Sequence, residues 1–169
     1  KEAVQNISAI FKKYLAEDVA NHDVHIQFIL AHEGVEGDSA SVSIATAVLS
    51  AMSRVPIRQD VAMTGSLSVH GRVLPIGGVT AKIEAAAKSG IKLVLVPTAN
   101  VIDVLIEDEY REKVKVVPCD TLFDVLEHAL VDSPAKATLL QKLHALESSL
   151  PGGPTQAAPV APPTNRAAA

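Results

Sequence analysis

The chain carries a single cysteine, Cys119, no tryptophan and only 3% aromatic residues in 169 positions. One thiol excludes an internal disulfide framework and a cysteine-based zinc module. So few rings argue against a stacking platform for single-stranded nucleic acid, which needs exposed aromatics inside a basic groove. Positive charge is also scarce: 15 Lys and Arg stand against 19 Asp and Glu, a formal net of −4, so no nucleic-acid partner is expected. No apolar run approaches the ~18–20 residues of a spanning helix, so no membrane segment is expected in this chain. No signal peptide is visible at Lys1, and the missing initiator Met reads as a domain cut from something larger. H-E-x-x-H and G-x-x-x-x-G-K-[ST] are both absent, which leaves no expected metal site and no Walker-type ATP site. Together these absences predict a soluble domain of a reducing compartment, placed in the cytoplasm.

What remains is ample for a core, since 48% of residues are hydrophobic and 20% charged. Composition changes at Ser149. Residues 150–169 hold five of the ten prolines and no acidic residue, a stretch that cannot close a core and is read as a disordered Pro/Ala-rich tail. Residues 1–149 are then one domain. Val4, Ile7, Ile10, Phe11, Tyr14 and Leu15 recur at helical spacing, and His25 to Leu30 reads as a strand. The spacing predicts a buried helix over Ser39–Arg54, and short extended pieces at Val61–Met63, Ser66–Val69 and Arg72–Leu74 with a hairpin turn at His70-Gly71. A helix from Thr80 to Lys88 follows, ended by Gly90. Strands stopped by Pro97 and Pro118, a short helix Val101–Ile106, and helices Thr121–Leu130 and Pro134–Glu147 complete the pattern. This alternation predicts an α+β (mixed α/β) fold, small mixed sheets packed by helices.

Two segments carry chemistry. In the first, Gly34, Gly37, Asp38 and Ser39 precede an apolar helix. Asp38 or Ser39 can simply cap that helix. Alternatively, Ser39 is a nucleophile beside unpaired backbone N–H groups that stabilise an oxyanion. Gly37-Asp38-Ser39-Ala40-Ser41 lacks the second glycine of a G-x-S-x-G elbow, and the six histidines offer no triad base by spacing. Cys119, between Pro118 and Asp120, is read as a small packing residue without a base partner.

The second segment runs Thr64-Gly65, Gly71, Val73, Pro75-Ile76-Gly77-Gly78 and Lys82, with Lys82 lying 43 residues after Ser39. In these two motifs the sequence resembles the proteolytic domain of Lon proteases, over nearly all of residues 1–147. Its Glu-Gly-Asp-Ser-Ala-Ser string is closer to the archaeal-type LonB and LonC branches than to bacterial LonA. The resemblance implies a serine endopeptidase with a Ser39–Lys82 dyad, Thr64 beside the lysine, and unfolded polypeptides as substrates. It also implies homo-hexameric rings, with any ATP bound by an AAA+ module outside this chain and no cofactor within it. A LonB-type parent would carry a membrane anchor elsewhere. His25 falls at the first position of a LonA histidine pair, but Gln27 stands at the second. The alternative is a non-catalytic Lon-like scaffold of the kind found in the DNA-repair protein RadA/Sms.

The dyad makes physical demands. A lysine ammonium ordinarily titrates near ~10.4, so a neutral amine at pH 7 requires roughly 4–5 kcal/mol of destabilisation, which burial can supply. Ala81, Ile83, Ala85 and Ala86 surround Lys82 in sequence and suggest such a site; taken alone, the same lysine reads as exposed and paired with Glu84 or Glu36. Asp38 would favour the charged amine, so it is expected either to face solvent as a cap or to pair with Lys82 in a resting state. Ala40 and Gly65 are expected to support or position the oxyanion donors, and Ser66, Leu67 and Ser68 to offer a strand edge to an extended peptide.

Overall fold

The computed structural model describes residues 23–28 and 38–149. The predicted opening helix and the tail over 150–169 lie outside the described residues, as do residues 29–37. A 3-10 turn, Asp38–Ala40, leads into α1 (Ser41–Ser53), followed by β1 (Val61–Met63), β2 (Ser66–Leu67) and β3 (Val73–Leu74). Next come α2 (Val79–Lys88), β4 (Leu93–Pro97), a 3-10 helix over Thr98–Asp103, α3 (Asp108–Arg111), β5 (Lys115–Cys119), α4 (Leu122–Ala129) and α5 (Pro134–Ser149). The architecture is mixed α+β.

Everything is organised around β4. It lies between β1 and β5 in a parallel sheet of order β1-β4-β5, and all five of its residues are buried. An uninterrupted apolar run suits a parallel strand because both of its faces are covered. Period-two alternation divides the work: Leu93 and Leu95 face α1, α4 and α5, packing with Val42, Leu49, Leu126 and Leu143. Val94 and Val96 face the other way, onto Val79, Ile83 and Ala87 of α2 and onto Tyr110. Burying a side chain such as Ile83, at 0% exposure, contributes about 1.5–3 kcal/mol.

The helix ends follow local chemistry. Gly90, at φ 80, ends α2 as Ile91 N–H donates to Ala86 O and Gly90 N–H to Ala87 O, each at 3.1 Å, the paired bonds of a Schellman end. Thr121 caps α4 in a reciprocal box with Asp124: Asp124 N–H donates to Thr121 Oγ1 at 3.2 Å, and Thr121 N–H to Asp124 Oδ2 at 2.8 Å. At the other end of α4, the nearly buried Lys136 ammonium donates to Glu127 O (2.6 Å), Leu130 O (3.2 Å) and Asp132 Oδ1 (2.6 Å). It thereby satisfies carbonyls that a helix C-terminus leaves orphaned, and does so at the negative end of the dipole.

Three expectations change. Residues 25–28 carry no strand, because no described strand pairs with them; Val24, Ile26 and Phe28 are exposed. The stretch around Val101 begins earlier, as a 3-10 helix at Thr98. Pro118 does not stop β5, which runs on to Cys119. Lys115 N–H donates to Lys92 O at 2.9 Å, so alternate residues 117 and 119 turn their amides toward β4 while Pro118 sits on the outer side. A residue without an N–H costs the ladder nothing there.

Candidate active site

Ser39 lies in the 3-10 turn before α1, Thr64 just past the end of β1, and Lys82 on α2. Residues far apart in sequence thus meet at one cavity of about 240 Å³, lined by Ser39, Ala40, Ser43, Ala62, Met63, Thr64, Lys82 and Val94.

The turn is built locally. Ser41 Oγ donates to the Asp38 carbonyl at 2.6 Å and closes it. Neither expected cap forms: Ala40 is the N-cap residue of α1, and no side chain caps it. The turn is instead fastened from across the fold. Thr64 N–H donates to Leu95 O (3.1 Å) and extends the β1 ladder by one residue. Gly65 N–H then donates to the Ser39 carbonyl at 3.0 Å, and Val42 N–H donates to Gly65 O at 3.3 Å. This close approach explains the glycine. Its φ is +152°, and a Cβ there would meet Val73 Cγ1 at 2.9 Å, Val42 Cγ2 at 3.2 Å and Pro97 Cγ at 3.4 Å.

Lys82 Nζ reaches Thr64 Oγ1 at 3.5 Å, and that hydroxyl lies 3.4 Å from the Ser39 carbonyl oxygen. A hydroxyl can accept one bond and donate another, so a chain runs from Lys82 Nζ through the buried Thr64 to the Ser39 backbone. Among the described residues no hydrogen bond joins Ser39 Oγ directly to Nζ. Ser39 is half-buried, Asp38 exposed and Lys82 exposed. The burial expected of Lys82 is therefore absent. α2 turns Val79, Ile83 and Ala87 inward at helical spacing, and Ala81 and Ala85 are exposed with Lys82. Among the described residues no ion pair links Lys82 to Asp38 or Glu84.

The other expected residues fare differently. Gly65 commits its N–H to Ser39, which suits positioning and leaves no donor for an oxyanion. Ser66 and Leu67 form β2, paired antiparallel with Leu74 and Val73, and the Leu67 side chain is buried at 1% exposure. Ser68 is committed to the hairpin: its N–H donates to Arg72 O, and its carbonyl accepts from Gly71 N–H, both at 3.0 Å. That commitment weighs against Ser68 as a place where an added strand pairs. His25 and Gln27 line a separate cavity with Val48 and Met52 of α1, sharing no lining residue with the first. Cys119 is buried, and burial, with Asp124 and Asp120 nearby, pushes its thiol up to about 12, so it is no thiolate nucleophile near neutral pH.

Ser43, Ala62 and Val94 were not picked out from the sequence. Ser43, in the first turn of α1, lines the cavity together with Ser39, and its Oγ lies 3.4 Å from Met63 O. Ala62 shares a strand face with Thr64 and is the register partner of Val94, a contact visible only once the sheet is known.

Among the described residues no group of His, Cys, Asp or Glu is arranged to hold a metal, and no helix is long and apolar enough to cross a membrane.

The family model for the Lon protease (S16) C-terminal proteolytic domain matches residues 2–132. The archaeal Lon protease of Methanothermobacter thermautotrophicus is 56% identical over 151 residues, covering 89% of this chain and 23% of that protein. That of Thermococcus kodakarensis is 58% identical over 143 residues, 85% of this chain and 22% of the relative. That of Archaeoglobus fulgidus is 56% identical over 147 residues, 87% and 24% respectively. The chain spans less than a quarter of the length of these relatives.

Proposed function

Because the chain belongs to the Lon protease (S16) C-terminal proteolytic domain family, we propose that it hydrolyses peptide bonds as the proteolytic part of a larger protease, with Ser39 as nucleophile and Lys82 as base. Residues 1–149 constitute that domain in this reading. Its main support is the meeting of Ser39, Thr64 and Lys82 at one cavity, with Nζ 3.5 Å from the threonine hydroxyl.

Ser39 Oγ attacks the scissile carbonyl carbon and its proton passes to Nζ of Lys82. The C–N bond then breaks as Nζ returns that proton to the leaving amine, and water releases the acyl group from Ser39 by the same route. Backbone N–H groups of the Ser39 turn before Val42, that of Ala40 first, stabilise the oxyanion. Thr64 steers the amine by accepting one of its N–H bonds. Only a neutral amine can accept the Ser39 proton, and Lys82 is exposed, so excluding water from around Nζ is what favours that form. An extended, unfolded polypeptide lying across the cavity does this, and enclosure within a hexameric ring strengthens it. ATP, where it is used, binds an AAA+ module outside this chain.

Cleavage of casein and of a fluorogenic peptide by the intact protein tests the reading. Ser39→Ala and Lys82→Met should each lower turnover by ~10³-fold or more, and a fluorophosphonate probe should label the native protein but not Ser39→Ala. Cleavage that survives Ser39→Ala overturns it. So does a native protein that neither cleaves nor labels, the behaviour of a non-catalytic RadA/Sms-type domain.

A further inference from the structure

Asn100 lies beyond β4, in the 3-10 helix, and lines neither cavity described above. It is nevertheless buried, at 4% exposure, and every polar atom of its side chain is engaged. Oδ1 accepts from Ile76 N–H at 2.8 Å, while Nδ2 donates to Ile76 O at 3.0 Å and to Asp103 Oδ2 at 3.0 Å. The Asp103 carboxylate can only accept, so it fixes which end of the amide is NH₂. Asparagine grips Ile76 by both its backbone groups, as a neighbouring strand would.

Ile76 is followed by Gly77 and Gly78, and Gly78 (φ 67) is the N-cap of α2. Among the described residues nothing lies within 4 Å of a Cβ placed on either glycine, so the glycines themselves are not wedged in place, although Ile76 and Val79 on either side pack against the core. Its geometry depends on what grips each side. Asn100 holds the upstream side. Downstream, Thr80 Oγ1 donates to Asp103 O (2.9 Å) and accepts from Leu105 N–H (3.2 Å). Lys82 N–H donates back to Gly78 O at 3.3 Å, so the lysine rides on the first turn after the glycines. β4 therefore fixes both partners: Leu95 O holds Thr64, and the continuation of the same segment holds the start of α2. The Lys82–Thr64 bond, at 3.5 Å, has no slack for displacement.

We propose that Asn100 is a positioning residue for catalysis, locking the glycine turn that aims Lys82 at Thr64 and Ser39. The proposal rests on the dyad reading above. Its test compares Asn100→Leu, which keeps the branched shape, adds bulk and loses all three bonds, with Asn100→Ala, which loses them without added bulk or a new charge beside Asp103. Both are measured in the intact protein on a fluorogenic peptide, below each variant's melting temperature, and normalised to folded protein by circular dichroism. A misplacement of about 1 Å costs ~10²-fold in rate. Asn100→Leu should therefore lose about that factor in kcat with KM within threefold, and the acid limb of its pH–rate profile should move. Asn100→Ala should lose a similar factor, and carries the test if the leucine variant does not fold. A kcat per folded molecule that is unchanged, with an unmoved acid limb, overturns the proposal. Ser39→Ala is run alongside: if it still cleaves, the dyad reading has failed rather than the role of Asn100.

Discussion

Replacing Gly65 by alanine puts the joint between β1 and the Ser39 turn directly under stress. The added methyl would stand 2.9 Å from Val73 Cγ1, closer than Cβ atoms ordinarily come, and 3.2 Å from Val42 Cγ2. Both neighbours are β-branched and buried, so neither can rotate away without leaving its rotamer. Overpacking of this kind costs about 1–3 kcal/mol. Holding alanine at a φ of +152° adds about 1–3 kcal/mol of backbone strain, while a stiffer unfolded chain returns about 0.4–1 kcal/mol. The net loss should be about 1–5.6 kcal/mol with a midpoint of ~3, read by urea denaturation; at about 2–4 °C per kcal/mol for a chain of this size, the melting temperature should fall by roughly 2–22 °C. Two neighbouring glycines calibrate the result. Gly77→Ala, with open space around the Cβ, should lie within about 1 kcal/mol of the parent. Gly78→Ala, at φ +67°, should lose about 1–2 kcal/mol from handedness alone. If Gly65→Ala is no more costly than Gly78→Ala, the tight joint inferred here is wrong, and so is its role in holding Ser39.

Two other substitutions probe the frame around the site. Lys136→Met strips the C-terminus of α4 of its buried ammonium, and the lost charge-assisted bonds should cost about 2–3 kcal/mol by urea titration. Lys136 holds the Asp132 carboxyl below its ordinary range, so this pair stabilises the fold above pH ~4 and the gain is lost as pH falls through the depressed value; the methionine variant should show a flatter acid limb. Cys119 should resist iodoacetamide at pH 8 in the folded protein and react once it is unfolded in urea. Its thiol titrates at about 12 in the fold against 9.0 ordinarily, so folded stability should decline as pH rises above 9 toward 12, and Cys119→Ala should remove that part of the slope.

Much of this architecture is legible where local rules act alone. The buried strand before Pro97, the glycine after α2 and the helix opening near Thr121 each state their structure within a few residues, and the structure agrees. The Lys82 environment shows the limit of such reading. Alanines beside it in sequence suggested burial, yet the helical period carries Ile83 inward and leaves Ala81, Lys82 and Ala85 outside. Pro118 misleads for a related reason, since a proline ends a strand only when its missing amide would have faced a partner. Asn100 gave no signal at all: its bonds to Ile76 span 24 residues and exist only once β4 and α2 are in place.

The proline of β5 also bears on how this protein behaves in company. A flank of sheet with a complete row of amides invites a foreign strand to dock and propagate. Among the described residues one rung of that row is missing by covalent structure at Pro118, and the next outward carbonyl, Asp120 O, already accepts from Val73 N–H, so a foreign strand cannot pair continuously past position 118. For a molecule proposed to handle sticky, denatured chains, such a blunted flank limits where they can lodge, and it leaves any self-association on this side to side chains instead of shared backbone.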